Sequence, residues 1–441
     1  MRIAIIGTGY VGLVSGVCLA ELGHEVVCVD NDLAKVARMK AGEVPIYEPG
    51  LEPLCKSAIA AGRLSFTSDL REAVVEVSLV MVAVGTPSAQ SGEADLGFIH
   101  LAIDQLTSVL PPRGLVVIKS TVPIGTNRSL AERFAAAGRD DVEVVSNPEF
   151  LREGKAVVDF LEPERIVVGM EGRAAEATLR ALYRPLVERG YPLLFTSLET
   201  AETIKYAANA FLATKVAFIN QIADLCETTG ADVEDVAAAI GLDQRIGQRF
   251  LRPGPGYGGS CFPKDTRALA WTARKAGRPI GIVETVIEEN EIRKRRMADR
   301  VVEACCGSVD GKRIAILGVA FKGGTDDTRE SPALVILPLL QELGATLVAY
   351  DPAAMEMAAR QLPGVQWAED SCAALRGADA AVIVTEWEDF AKLDLKAVAA
   401  ALKHPLLIDL RNLFSPQEAV AAGLDYFSIG RPPARGAVGR S

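Results

Sequence analysis

The chain has 441 residues, longer than one hydrophobic core usually grows, so two or three domains are expected. Forty-seven Lys and Arg against 57 Asp and Glu leave a formal charge of -10, which argues against a protein built to grip nucleic-acid phosphates or an anionic membrane. The composition, 49% hydrophobic and 24% charged, is that of a globular protein, and eight cysteines without a Cys-x-x-Cys pair beside three histidines exclude a zinc ribbon or finger.

Ile3 to Ala20 is largely apolar after Arg2, but Gly7, Gly9, Gly12 and Gly16 interrupt it and no A-x-A site follows. It reads as strand, turn and helix, not as a secretory leader. No other run approaches the ~18 apolar residues of a membrane span. Scattered cysteines at this chain length are mostly buried thiols of a reducing compartment, so a soluble cytoplasmic protein is expected.

The runs Ile3–Ile6, Val26–Asp30, Leu79–Gly85, Leu115–Ser120, Val142–Ser146 and Ile166–Gly169 are nearly all apolar and alternate with helical patterns. Strands of that kind belong to a parallel sheet covered by helices on both faces. Glu199 to Thr229 holds neither Gly nor Pro and predicts a helix of roughly 45 Å. Another long helix is expected from about Ile282 to Cys306. Arg293-Lys-Arg-Arg296 trails Glu284, Glu288, Glu289 and Glu291 there, so acids lead and bases trail as a helix dipole favours, and with the overall acidity it is not read as a nucleic-acid site. From about Gly311 the βαβ character returns, for Arg313-Ile-Ala-Ile-Leu-Gly318 echoes Arg2-Ile-Ala-Ile-Ile-Gly7. Ala345–Tyr350, Ala380–Thr385 and Leu406–Leu410 continue this second sheet. The expected α/β partition is a doubly wound domain over 1–198, a helical and dimerising middle over 199–308, and a second doubly wound domain over 309–441. The tail after Arg431 is expected to be disordered.

Gly7-Thr8-Gly9-Tyr10-Val11-Gly12 follows a buried strand and opens a helix, where a dinucleotide fingerprint belongs. The first glycine permits the turn, the second lets backbone approach a pyrophosphate, and the third lets helix and sheet pack closely. Asp30 ends the second strand 18 residues after Gly12, placed to accept bonds from ribose hydroxyls. Asn31 and Asp32 follow it, so a 2′-phosphate would meet negative charge and NAD is favoured over NADP. Ligands of such sheets gather beyond the strands' carboxyl ends. Those ends read Gly85-Thr86-Pro87, Ser120-Thr121-Val122-Pro123 and Ser146-Asn147-Pro148-Glu149. Thr86 and Thr121 become candidate cofactor neighbours, and Glu149 a candidate acid, base or water-orienting carboxylate.

No histidine suits proton abstraction from an alcohol. His24 precedes the second strand at its distal end, while His100 and His404 stand outside any polar cluster. The alternative lies in Phe250-Leu-Arg-Pro-Gly-Pro-Gly-Tyr-Gly-Gly-Ser-Cys-Phe-Pro-Lys-Asp265, a glycine-rich loop able to bring backbone against a bulky ligand. Pro263 suits the first helical position, so Cys261 would precede a helix whose dipole, with Lys264, favours a thiolate. Lys205 and Asn209 lie four apart on one helix face, which is either a solvent stripe or part of a site.

With these residues the sequence resembles the UDP-glucose 6-dehydrogenase family of nucleotide-sugar dehydrogenases over nearly its whole length. GTGYVGLVSG at Gly7–Gly16, STVPIGT at Ser120–Thr126, NPEFLREG at Asn147–Gly154, GYGGSCFPKD at Gly256–Asp265 and AFKGGTDDTRES at Ala320–Ser331 carry the resemblance. It implies two Rossmann-like domains, for NAD and for a UDP-sugar, joined by a long-helix domain that forms a homodimer. The implied reaction is a four-electron oxidation of UDP-glucose to UDP-glucuronate with two NAD and one water. The implied catalytic residues are Cys261 as nucleophile, Lys205, Asn209, Asp265, Glu149 and Thr121. Gly7, Gly9, Tyr10, Val11, Gly12, Asp30, Lys35, Thr86, Thr121, Glu153, Lys264 and Arg329 are implied near the cofactor. Glu149, Phe150, Leu151, Arg152, Glu153, Lys205, Asn209, Phe250, Leu251, Arg252, Pro253, Gly254, Tyr257, Gly258 and Lys322 are implied at the substrate, with Arg245 reaching it across a dimer interface. No metal is implied. One departure is Gly323-Gly324, where many relatives carry Pro-Asn.

Three other readings share parts of this pattern. Dehydrogenases of GDP-mannose or a UDP-N-acetyl-hexosamine share the chemistry, though Pro163–Gly169 and Asp243–Gly247 look more like the UDP-glucose branch. Two-electron β-hydroxyacid dehydrogenases share the plan and the helical lysine but need no thiol. A non-catalytic NAD sensor would have no use for Cys261, Lys205, Asn209 and Asp265 together.

Overall fold

The computed structural model describes residues 1–436. They form two compact units: Met1–Ala208 with Arg267–Arg278, and Asn209–Thr266 with the chain from Pro279 onward. The middle stretch of the sequence is therefore shared between the units.

In the first unit, the strands are β1 (Arg2–Ile6), β2 (Glu25–Val29), β3 (Leu64–Thr67), β4 (Leu79–Val82), β5 (Leu115–Ile118), β6 (Glu143–Ser146), β7 (Ile166–Gly169) and β8 (Leu193–Thr196). They lie in the order β3-β2-β1-β4-β5-β6-β7-β8. The first six are parallel, with Ile3 opposite Val26 on one side and Leu79 on the other. Ile3 and Ile5 bury with Val14, Val17 and Leu19 of the helix Tyr10–Glu21, while Ala4, Val80 and Val82 bury with Ile99, Ile103 and Leu106. Burial on both faces is the reason these strands read as unbroken apolar runs. The sheet is not parallel throughout. β7 meets β6 antiparallel at Ser146 and Gly169, and β8 then runs parallel to β7. An all-apolar run reads alike in either direction, so its sequence carries no sign of the reversal.

The second unit holds a parallel six-stranded sheet of β9 (Arg313–Leu317), β10 (Thr346–Tyr350), β11 (Gln366–Trp367), β12 (Ala380–Ile383), β13 (Leu406–Asp409) and β14 (Asp425–Ser428). Its order is β11-β10-β9-β12-β13-β14. Ile314, Ile316, Val382 and Ile408 are fully buried in its core.

The helix Leu198–Thr229 has 32 residues, which is roughly 48 Å, and its two ends belong to different units. The helix Gly281–Ala304 buries Arg293 and Lys294 of the basic run. The tail departs from expectation. Ala434 pairs antiparallel with Tyr426, and the Gly436 N–H donates to Asp425 at 2.9 Å. Of the tail expected to be disordered, 437–441 lie outside the described residues. Among the described residues no helix is long and apolar enough to cross a membrane.

Candidate active site

β1 turns at Gly7, whose φ of +90° is a left-handed conformation that favours glycine. A Cβ on Gly12 would lie 1.9 Å from the Gly7 carbonyl oxygen, so only glycine lets the helix Tyr10–Glu21 approach so closely. Gly9, the N-cap of that helix, has nothing within 4 Å of where its Cβ would be, and no side chain caps the helix. Open backbone at a helix N-terminus is what a pyrophosphate requires. A cleft of about 800 Å³ adjoins it, lined among others by Gly7, Gly9, Asp30, Arg71, Phe98 and Gln105. The residues present thus fit a dinucleotide.

Asp30 takes the Thr8 N–H at 3.1 Å, the Thr8 hydroxyl, the Lys35 ammonium at 2.9 Å and the Asp32 N–H at 3.1 Å. Burial alone would push its pKa up, but the bonds from Thr8, Lys35 and Asp32 outweigh it and bring the value to about 2. Asp30 therefore presents a fixed negative charge in the cleft, and Lys35 steadies it. Tyr10 donates to Glu48, and burial first, then Glu48, pushes its pKa up. Glu48 also accepts the Gly154 and Ala156 N–H groups, each at 2.7 Å, tying the segment after Glu149 to the fingerprint helix. Thr86 is buried and donates to the Thr121 carbonyl at 2.9 Å.

At the end of β6, Glu149 accepts from Lys205 at 2.9 Å, and both side chains are 4% exposed. Phe150 stacks under Arg165, 4.0 Å from its centroid, and Lys205 lies 5.4 Å from the same centroid. Arg152 is exposed and is paired with Asp159. Glu202, one turn before Lys205, accepts from the Gly125 and Asn127 N–H groups at 2.6 and 2.8 Å and so moors the Thr121 loop to the long helix. Lys119 donates to the carbonyl and side-chain oxygens of Asn147 at 3.4 and 3.3 Å. Burial pulls its pKa down to about 8, with Glu149 opposing and Lys205 assisting.

In the second unit, Cys261 immediately precedes the helix Phe262–Lys275, and its backbone carbonyl accepts the Asp265 N–H at 2.8 Å. Pro263 is the second helical residue, one later than its sequence position implied, where a missing N–H still costs no helical bond. The Ser260 hydroxyl lies 3.5 Å from the Cys261 sulfur. Asp265, 1% exposed, accepts from the Asn209 amide and the Lys264 ammonium, each at 2.6 Å. That couples the long helix to the cysteine's own helix and resolves the choice for Asn209, which is no solvent-stripe residue. The glycines of the loop are needed by what packs on them. Gly258 has the Glu330 carbonyl oxygen 2.4 Å from its Cβ position, and the Gly259 N–H donates to the Arg329 carbonyl at 2.8 Å. The segment 320–331 thereby braces the cysteine loop.

These features define a Rossmann-type, dinucleotide-binding oxidoreductase with a cysteine at a helix start. Family models of the UDP-glucose/GDP-mannose dehydrogenases match in order: the NAD binding domain over residues 1–187, the central domain over 199–292 and the UDP binding domain over 315–416. A UDP-glucose 6-dehydrogenase of Rhizobium meliloti is 50% identical over 98% of this chain and all of its own length. One from Bacillus subtilis is 48% identical over 99% of this chain and 94% of its own. The solved structure of a UDP-glucose dehydrogenase from Pyrobaculum islandicum superposes with a TM-score of 0.88 at 38% identity, covering 97% of this chain and 96% of that one. The chain belongs to the UDP-glucose/GDP-mannose dehydrogenase family, an NAD-dependent oxidoreductase family.

The structure brings together Glu149, Phe150 and Lys205 in the first unit, and Asn209, Lys264 and Asp265 in the second. Arg245 is instead exposed, its side chain 89% accessible and paired locally with Asp243. His24 is structural: its ring donates to the Leu182 carbonyl at 2.9 Å, and burial lowers its pKa. Sequence reasoning missed Lys119, Glu202 and Glu48. It also missed Arg411, which donates to the carbonyls of Val384 and Phe321, each at 2.8 Å, and whose guanidinium would lie 3.3 Å from a Cβ on Gly254. The available signal was an arginine just past an apolar strand end, Asp409-Leu410-Arg411.

Proposed function

We propose that the chain oxidises the primary alcohol of UDP-glucose to the carboxylate of UDP-glucuronate, through a covalent intermediate on Cys261. NAD, when bound, accepts a hydride in each of two oxidations. Gly7, Gly9, Gly12 and Asp30 hold it, with Tyr10, Val11, Lys35, Thr86, Glu153 and Arg329 around it. Lys205 stabilises the alkoxide formed as the alcohol loses its proton, and Asn209 assists by hydrogen bonding. The aldehyde of the first oxidation cannot lose a second hydride until a nucleophile has added to it. Cys261 adds through sulfur, giving a thiohemiacetal; loss of its hydride gives a thioester, and water cleaves that to the carboxylate and the free thiol. Glu149, Asp265 and Thr121 handle the protons and the attacking water.

The observation that carries this reading is Cys261 at a helix start, with Asp265 four residues on held by both Asn209 and Lys264. A two-electron dehydrogenase has no use for it. The relatives of 50% and 48% identity bear the UDP-glucose name and favour that sugar. The sugar nucleotide is held by 149–154, by 250–258 and by Lys322. Functionally the chain divides into an NAD part (1–198), a helical part (199–308) and a UDP-sugar part (309–441). The helical part forms a homodimer. Phe211, Phe218 and Leu225, seven residues apart on the long helix, are 66%, 50% and 57% exposed, and burying such a stripe is favourable. Arg245, whose side chain is exposed, is the residue that reaches the substrate across that interface. All eight cysteines are free thiols, which suits the reducing cytoplasm.

The test is NADH formation with UDP-glucose, GDP-mannose and UDP-N-acetyl-hexosamines assayed in parallel. Turnover is expected with UDP-glucose at a kcat/KM far above the others. Absence of turnover with UDP-glucose would overturn the substrate assignment.

A further inference from the structure

The second unit clamps the backbone of the glycine-rich loop from two helices. On the long helix, Asn220 accepts the Gly254 N–H at 2.8 Å. From the helix Gly281–Ala304, Arg293 donates through Nε to the Gly254 carbonyl at 3.0 Å. Three residues further along the loop, Asn290 accepts the Tyr257 N–H at 2.8 Å and returns a bond to the Tyr257 carbonyl at 3.0 Å. Both polar groups of Gly254 and both of Tyr257 are thus satisfied by side chains, not by a strand or helix. Asn220, Asn290 and Arg293 are each 4% exposed, so these bonds form away from water, where losing a partner costs most. Arg293 is fixed in turn by the Asn220 carbonyl at 3.2 Å and by Asp224, which also neutralises its buried charge. Between the two clamped residues Gly256 has φ +120°, and a Cβ there would lie 3.0 Å from the Asn290 oxygen. The loop shape is imposed from outside. Alone, a run of prolines and glycines would sample many shapes.

We propose that Asn220, Asn290 and Arg293 are positioning residues for the sugar nucleotide, holding loop 250–258 in its binding shape before substrate arrives. This rests on the assignment of that loop to the substrate. A preformed loop spares the complex the entropy of ordering it, so the clamp acts on substrate affinity and leaves the NAD cleft alone. None of the three touches the reacting atoms.

The test pairs two measurements on the full chain. In wild type, hydrogen exchange of peptide 250–258 is followed with and without UDP-glucose. Slow exchange at the Gly254 and Tyr257 amides is expected even without ligand, and further slowing with it; fast exchange in the free protein overturns a preformed clamp. Steady-state kinetics then compare Asn220→Leu, Asn290→Ala and Arg293→Met, with Asn220→Asp as the conservative variant that keeps the acceptor. UDP-glucose KM is expected to rise on the order of 10-fold or more in the first three, with NAD KM within about two-fold and Asn220→Asp near wild type. An unchanged UDP-glucose KM, or a parallel rise in both KM values, overturns the proposal. If UDP-glucose leaves exchange of 250–258 unaltered in wild type, the loop's assignment falls and the clamp with it. If substrate slows exchange but the variants keep their KM, the clamp alone falls. Should the truncations not fold, the wild-type exchange still decides: slow exchange at the Gly254 and Tyr257 amides without ligand supports the clamp, and fast exchange overturns it.

Discussion

The two sheets open with nearly the same words and are finished differently. β1 and β9 both read Arg-Ile-Ala-Ile and end at a left-handed glycine, Gly7 and Gly318. Both sheets run third, second, first, fourth, fifth and sixth strand across their first six members, and both carry an aspartate just past the second strand, Asp30 and Asp351. In the first, Gly9 faces open space and the cleft beside Asp30 is about 800 Å³. In the second, Val319 and Ala320 replace the fingerprint. Fully buried Asp351 accepts from both their N–H groups, from those of Ala353 and Ala354, and from the Trp387 indole at 3.1 Å. The position where the first sheet leaves room for a dinucleotide is, in the second, filled by the protein. Strand pattern specifies the sheet, and the three residues after the first strand specify whether its crevice stays open.

Substitutions sharpen this contrast, beginning with the most damaging. Gly12→Ala sets a methyl against the Gly7 backbone, which cannot yield, so a cost above about 3 kcal/mol is expected, read as loss of a cooperative thermal transition or of NAD binding. A variant with native melting and NAD affinity would break the account of that glycine. Asp351→Ala leaves five donors without their acceptor and is expected to cost about 3 kcal/mol or more in denaturant unfolding, while the NAD affinity of surviving protein is unchanged. Gly9→Val is the converse. Its φ of -64° suits any residue and nothing crowds its Cβ, so stability should hold while NAD affinity, by titration, falls about 10- to 100-fold.

The smallest effect concerns Lys119, buried beyond β5. Its folded pKa, about 8, is below that of an exposed lysine, so between roughly pH 8 and 10.4 the unfolded chain binds the extra proton. Stability conferred by this group should therefore rise with pH across that window. Unfolding of Lys119→Met compared with wild type isolates it; identical pH dependence in the two would show the ammonium is not held as described.

Much of the site was legible because its parts are local. Gly7–Gly12 and Asp30 are tied by one βαβ unit, and Cys261 with Asp265 by a single helical turn. The clamp was not. Arg293 sits in a run of basic residues whose order the helix dipole already explains, and its partner Gly254 is 39 residues away, a separation with no periodic trace. Direction was hidden in β7, since apolar runs have no polarity. The tail after Arg431 read as disordered from its Pro, Gly and Arg, yet Ala434 pairs with Tyr426, a contact that composition cannot announce. Asn209 was ambiguous until its partner Asp265, 56 residues on, was known.

The claim on which all else turns is that Cys261 carries the second oxidation. With UDP-glucose limiting and NAD in excess, the NADH formed per sugar nucleotide can be counted by absorbance and the product identified by mass. Two NADH per UDP-glucose with UDP-glucuronate as product are expected of the wild type, and no uronate of Cys261→Ala. One NADH per UDP-glucose, or an alanine variant that forms the acid at the wild-type rate, would contradict the thioester route.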